Sequence, residues 1–94
     1  GDLAALVKRY GASHIAVEVV PDGSRYSVRM ETELSNGREL YCLPPGSFTD
    51  LGEAYSYVSY HADWLQATLG PTCRVIVLAN GHVYQVSERL RQPA

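Results

Sequence analysis

The architecture turns on His14-Ile15-Ala16-Val17-Glu18-Val19-Val20, followed by Pro21-Asp22-Gly23-Ser24 and then Arg25-Tyr26-Ser27-Val28-Arg29-Met30-Glu31-Thr32-Glu33-Leu34. Apolar residues recur at every second position on both sides of a turn-forming segment, which predicts two antiparallel strands with one face toward a core. With a four-residue loop, Val19 faces Tyr26, Val17 faces Val28 and Ile15 faces Met30. On the other side Ala16 faces Arg29 and His14 faces Glu31. One register therefore sorts apolar from polar on both faces. The polar face, with Glu18, Arg25, Arg29, Glu31 and Glu33, reads as solvated and laced with weak cross-strand ion pairs.

Asn36-Gly37 is the strongest short hairpin signal in the chain, and it leads into Arg38-Glu39-Leu40-Tyr41-Cys42-Leu43 before Pro44-Pro45 stops the strand. A two-residue loop would put Tyr41 and Leu43 on the core face, whereas a three-residue loop would put Leu40 and Cys42 there. Ser47 is the expected opening of a long helix, with Asp50 three residues on as a weaker capping box and Gly70-Pro71 as its close. Leu51, Ala54, Tyr55, Val58, Ala62, Leu65 and Leu69 form one stripe at helical spacing and mark the face toward the core.

Val75-Ile76-Val77-Leu78 runs without alternation, the pattern of a strand covered on both faces, and Asn80-Gly81 turns it into His82-Val83-Tyr84-Gln85-Val86. Upstream, Asp2 is positioned to cap a two-turn helix with Leu3, Leu6 and Val7 on one side, Lys8 and Arg9 in its last turn, and Gly11 after it. So short a helix must dock on something. The expected fold is a single α+β domain over residues 1–94: an antiparallel five-stranded sheet in α-β-β-β-α-β-β order, one long helix packed on a face, a short docking helix over 1–12 and a frayed tail over 89–94.

Composition narrows the function classes. The 94 residues are 46% hydrophobic and 19% charged with a net charge of −2, so the chain has the makings of one core and no basic stripe for nonspecific binding to nucleic acid or anionic membrane. No apolar run reaches membrane-spanning length and the opening residues lack signal-peptide features, so the expectation is a soluble, cytoplasmic protein with Cys42 and Cys73 as free, apolar-flanked thiols.

A second stripe on the long helix calls for an explanation. Glu53, Tyr57, Tyr60 and Trp64 cluster within about 60° of one another, well away from the Leu51/Val58/Leu65 stripe. They form a second core seam beneath the first helix or tail, an interface, where Tyr and Trp are enriched, or an exposed stripe with no role. The interface reading makes the chain a protein–protein interaction module, most simply a homodimer built on one self-complementary patch.

The second functional reading is a small-ligand binder or enzyme whose pocket lies between helix and sheet, where Cys42, Tyr55 and His61 converge. No catalytic residues are assigned, because no strand-turn-helix serine elbow surrounds Ser56 or Ser59 and no Cys/His pair is set up by local spacing. The more direct reading is a non-enzyme. No metal site is expected, since His14, His61, His82 and the two cysteines share no short ligand spacing. No cofactor is expected either: Pro44-Pro45-Gly46-Ser47 precedes a helix start, but Asp50 and Glu53 already bring negative charge to it.

Residues 2–69 run helix, three-strand meander, helix, an order similar to that of double-stranded RNA-binding domains. The resemblance, carried by topology over about two thirds of the chain, implies RNA backbone contacts from the start of the second helix, where those domains place lysines. Here that stretch is Thr49-Asp50-Leu51-Gly52-Glu53-Ala54, and no Lys or Arg occurs from Phe48 to Leu69. Carboxylates there repel phosphates, so nucleic-acid binding is the third reading.

Overall fold

The computed structural model describes residues 3–44, 46–79 and 82–85. The expected Asp2 cap, the Asn80-Gly81 turn, Val86 and the 89–94 tail lie outside them. The elements are α1 (Leu3–Tyr10), β1 (His14–Asp22), β2 (Arg25–Glu33), β3 (Glu39–Cys42), α2 (Leu51–Leu69), β4 (Arg74–Ala79) and β5 (His82–Gln85). They form an α+β domain whose sheet runs β3-β2-β1-β4-β5.

The expectation of an all-antiparallel sheet is corrected: β1 and β4 are parallel neighbours, with Ile15 beside Val75 and Val17 beside Val77. Parallel strands need a long crossover, and α2 supplies it by carrying the chain from the β3 edge back over the sheet to the far side of β1. The short helix docks on the long one: α1 packs with α2 and contributes Ala4 and Val7 to the same core, so two helices rather than α2 alone lie on that face.

The first hairpin is two residues tighter than the alternation suggested. Val17 pairs with Met30, Val19 with Val28, Glu18 with Arg29 and Ala16 with Glu31, while Asp22 and Arg25 close the turn around Gly23 and Ser24. Pro21 and Asp22 therefore belong to the strand. A slip of two keeps every side chain on its face, so hydrophobic patterning is blind to it. In the second hairpin the three-residue loop is the one adopted: Leu34 N–H donates to Arg38 C=O (2.8 Å) and Gly37, at φ 90°, turns the chain where a side chain would be strained. This puts Leu40 and Cys42 on the core side and leaves Tyr41 and Leu43 each 60% exposed.

The cap of the long helix lies three residues later than the Ser47 reading. Phe48 instead exchanges two backbone hydrogen bonds with Tyr26 (2.7 and 2.9 Å), extending the edge of β2, and Ser47 Oγ accepts from Arg25 Nε at 2.8 Å. Asp50 is itself the N-cap, its Oδ1 accepting from Gly52 N–H at 2.7 Å.

Both helices cover one face of the sheet. Ile15, Val17, Val58, Val75 and Val77 are fully inaccessible there and join Val19, Val28, Leu34, Ala54, Ala62 and Leu65 in one cluster. Thr32, the one buried hydroxyl on that side, donates to His14 C=O. On the opposite face, Ala16, Glu18, Val20, Arg29, Ile76 and Leu78 are partly buried, His14, Glu31, Tyr41 and Arg74 are exposed, and none of these residues is sealed.

Candidate interaction surface

Alpha-helical spacing gives α2 two opposed faces with different fates. Ala54, Val58, Ala62 and Leu65 go into the core, while Tyr60 and Trp64, one turn apart on the far side, are 72% and 55% exposed. Glu53 is exposed on the same side, one turn before Tyr57. Tyr57 occupies the border. It is half-buried against the core, with its ring 5.1 Å from that of Phe48 and 4.2 Å from the imidazole of His61. The Phe48–Tyr26 bridge fixes the position of Phe48, so the aromatic surface is anchored to the edge of β2.

His61 is half-buried and belongs to this surface, since Tyr60 meets it edge-on at 5.6 Å with an interplanar angle of 86°. The result is a continuous row running Phe48, Tyr57, His61, Tyr60, whose last ring is held outward by the same helix that exposes Trp64. Among the described residues, nothing from α1 seals Tyr60 or Trp64.

The residues of the helix–sheet pocket reading are not brought together. His61 is engaged with the two tyrosines, Tyr55 packs against the core cluster, and Cys42 is half-buried on the edge strand β3. Recesses of about 340, 490 and 440 Å³ lie respectively on the open sheet face beside β3, between α1 and the start of β4, and beside His14 and Arg74; none is lined by Cys42, Tyr55 or His61. Both thiols are free, and burial pushes the Cys73 thiol up, which disfavours a thiolate. Among the described residues, no three His, Cys, Asp or Glu side chains are grouped to hold a metal, and no helix is long and apolar enough to cross a membrane.

On the open face the dominant polar contact is the Arg29–Glu18 ion pair across β1 and β2. Glu18 above all, then Tyr41, raises the pKa of the Arg29 guanidinium, with a smaller pull from Glu31. The guanidinium lies 5.9 Å from the centre of the Tyr41 ring.

One residue the sequence reading passed over is Gln66. It is buried at the end of α2, where its amide nitrogen donates to Gly70 C=O (2.8 Å) and Cys73 C=O (2.9 Å) and its amide oxygen accepts from Val75 N–H (2.8 Å). It ties the helix to the entry of β4. The available signal was positional: Gln66 lies four residues after Ala62 and three before Leu69, on the core stripe itself.

No protein-family model, curated protein or solved structure matches the chain.

Proposed function

We propose that the chain is a small interaction module that self-associates through the outward face of α2, with Glu53, Tyr57, Tyr60 and Trp64 at the contact. The observation that carries this reading is the exposure of Tyr60 and Trp64 on a helix whose other side is fully engaged by the sheet. Such rings bring large apolar area at low conformational cost, and each keeps a polar tip to direct.

A second copy is the occupant that fits this face. A two-fold axis near Tyr60 sets the helices antiparallel, so that each aromatic row meets its own copy. The helix has no Lys or Arg, and the two copies of Glu53, the acid in the contact row, must not collide. In this arrangement the two copies of Glu53 are about 20 Å apart, beyond the screening length of about 8 Å at physiological salt. Tyr60 and Trp64 lie at the centre, where dry packing counts most.

Sedimentation or light scattering across concentration tests the reading. Wild type is expected to dimerise with a blue shift of Trp64 emission. Trp64→Asp places a charge in the apolar centre and is expected to weaken association by at least about tenfold, while denaturation of the monomer moves by no more than about 0.5 kcal/mol. A wild-type protein that stays monomeric up to about 1 mM, or a variant that dimerises as well as wild type, would overturn it.

A further inference from the structure

We propose that the open face of the sheet docks a basic amphipathic segment of another protein, its apolar stripe on β1 and β4 and its Lys or Arg side chains over β2 and β3. The inference concerns the side of the sheet away from α2 and stands independently of the dimer reading.

Two halves of this face differ in chemistry. On β1 and β4, Ala16 lies beside Ile76 in the parallel register, Leu78 lies beside the ion-paired Glu18, and Val20 completes the four apolar residues of this half. All four are only partly buried. The unbroken apolar run of β4 is that of a strand covered on both faces, yet among the described residues both helices lie on the other side. On β2 and β3 the pairs Glu31–Tyr41 and Glu33–Glu39 place three carboxylates beside an exposed ring. These four residues line the recess of about 340 Å³, together with His14. Among the described residues, Glu33 and Glu39 make no ion pair, and Glu31 feels Arg29 only at a distance, whereas Glu18 is paired with Arg29 directly.

An apolar strip flanked by carboxylates that outnumber the nearby guanidinium is complementary to the opposite arrangement in a partner: apolar residues along one line and cations along its edge. The molecule already holds one guanidinium here in the same way, since Arg29 combines a carboxylate with the face of Tyr41. A phosphate backbone or anionic surface would meet like charge over β2 and β3. A second copy would bring its own three carboxylates to the face.

The test titrates the full chain with a fluorescently labelled synthetic helix of leucine and lysine, leucines at i, i+3, i+4 and i+7. Saturable binding is expected, and it should fall by about tenfold in the E31Q/E33Q/E39Q variant and again in high salt. The three positions are exposed, so the variant is expected to keep the wild-type circular dichroism and melting curve. A scrambled peptide of equal composition and a leucine–glutamate helix are expected to bind far more weakly, and Trp64→Asp to leave the affinity unchanged. Four results would overturn the proposal: no saturable binding, equal binding by the scrambled or acidic peptide, full affinity in the triple variant, or loss of binding in Trp64→Asp. Dilution-dependent amide shifts in β1 and β4 of the free protein would assign the face to a second copy and would overturn it too.

Discussion

Gln66→Ala is expected to lower the unfolding free energy by about 3 kcal/mol, because one truncation removes three hydrogen bonds at a buried site. The loss comes less from the bonds themselves than from the groups they leave behind. Val75 N–H and Cys73 C=O belong to residues 0% and 2% exposed, so water cannot readily replace the amide. Gly70, at φ 78°, ends α2 with its own N–H donating to Gln66 C=O at 2.9 Å, so side chain and backbone of one residue together fix the turn into β4. Urea denaturation checks this: the midpoint is expected to fall with an unchanged slope.

Gln66→Glu separates the hydrogen bonds from the volume. A carboxylate at this position would face two carbonyl oxygens in place of donating to them, which raises its folded pKa above the ordinary value of about 4.3. A raised acid pKa means that the folded state binds the proton more tightly than the unfolded one. The variant is therefore expected to be most nearly stable below about pH 4 and to lose stability as pH rises through the folded pKa, opposite to the usual carboxylate trend. A flat difference from wild type between about pH 4 and 8 would place the side chain in water instead.

The same residue shows where sequence legibility ends. Ala54, Val58, Ala62 and Leu65 announce the buried face of α2 because burial of apolar area repeats with the helix period. Gln66 shares that face but is polar, and composition alone assigns it to solvent; its role depends on where Cys73 and Val75 return in space. The sheet behaves likewise. Alternation in β1 and β2 reported which side chains share a face, but it is unchanged by a slip of two and carries no sign of strand direction, so neither the Glu18–Arg29 pairing nor the parallel β1–β4 neighbours followed from it. The parallel pair is implied by a different feature, the helix between β3 and β4, which at 19 residues and about 28 Å is long enough to recross the sheet. On the candidate surface, helical periodicity separated Tyr60 and Trp64 from the core. It missed the inward half of Tyr57, because Phe48 reaches it only through the bridge to Tyr26.

Ile15→Ala and Ile76→Ala form a matched pair that tests the sidedness of the whole fold. The two isoleucines occupy adjacent parallel strands, one register step apart, and face opposite sides of the sheet. Ile15 is fully inaccessible beneath the helices, so its truncation removes transfer free energy and leaves a cavity that the flanking strands prevent from collapsing. A loss of about 3–4 kcal/mol is expected. Ile76 is only partly buried, with no helix over it among the described residues, and its truncation is expected to cost about 1 kcal/mol. The difference between the two, measured by urea denaturation of the isolated protein, is a direct reading of which side of the sheet holds the core. If the open face docks a partner, saturating peptide raises the stability of wild type by mass action and raises that of Ile76→Ala less, whereas Ile15→Ala gains as much as wild type. A peptide that stabilises both variants equally would be resting on charge alone, with no part of its affinity drawn from the apolar strip of β1 and β4.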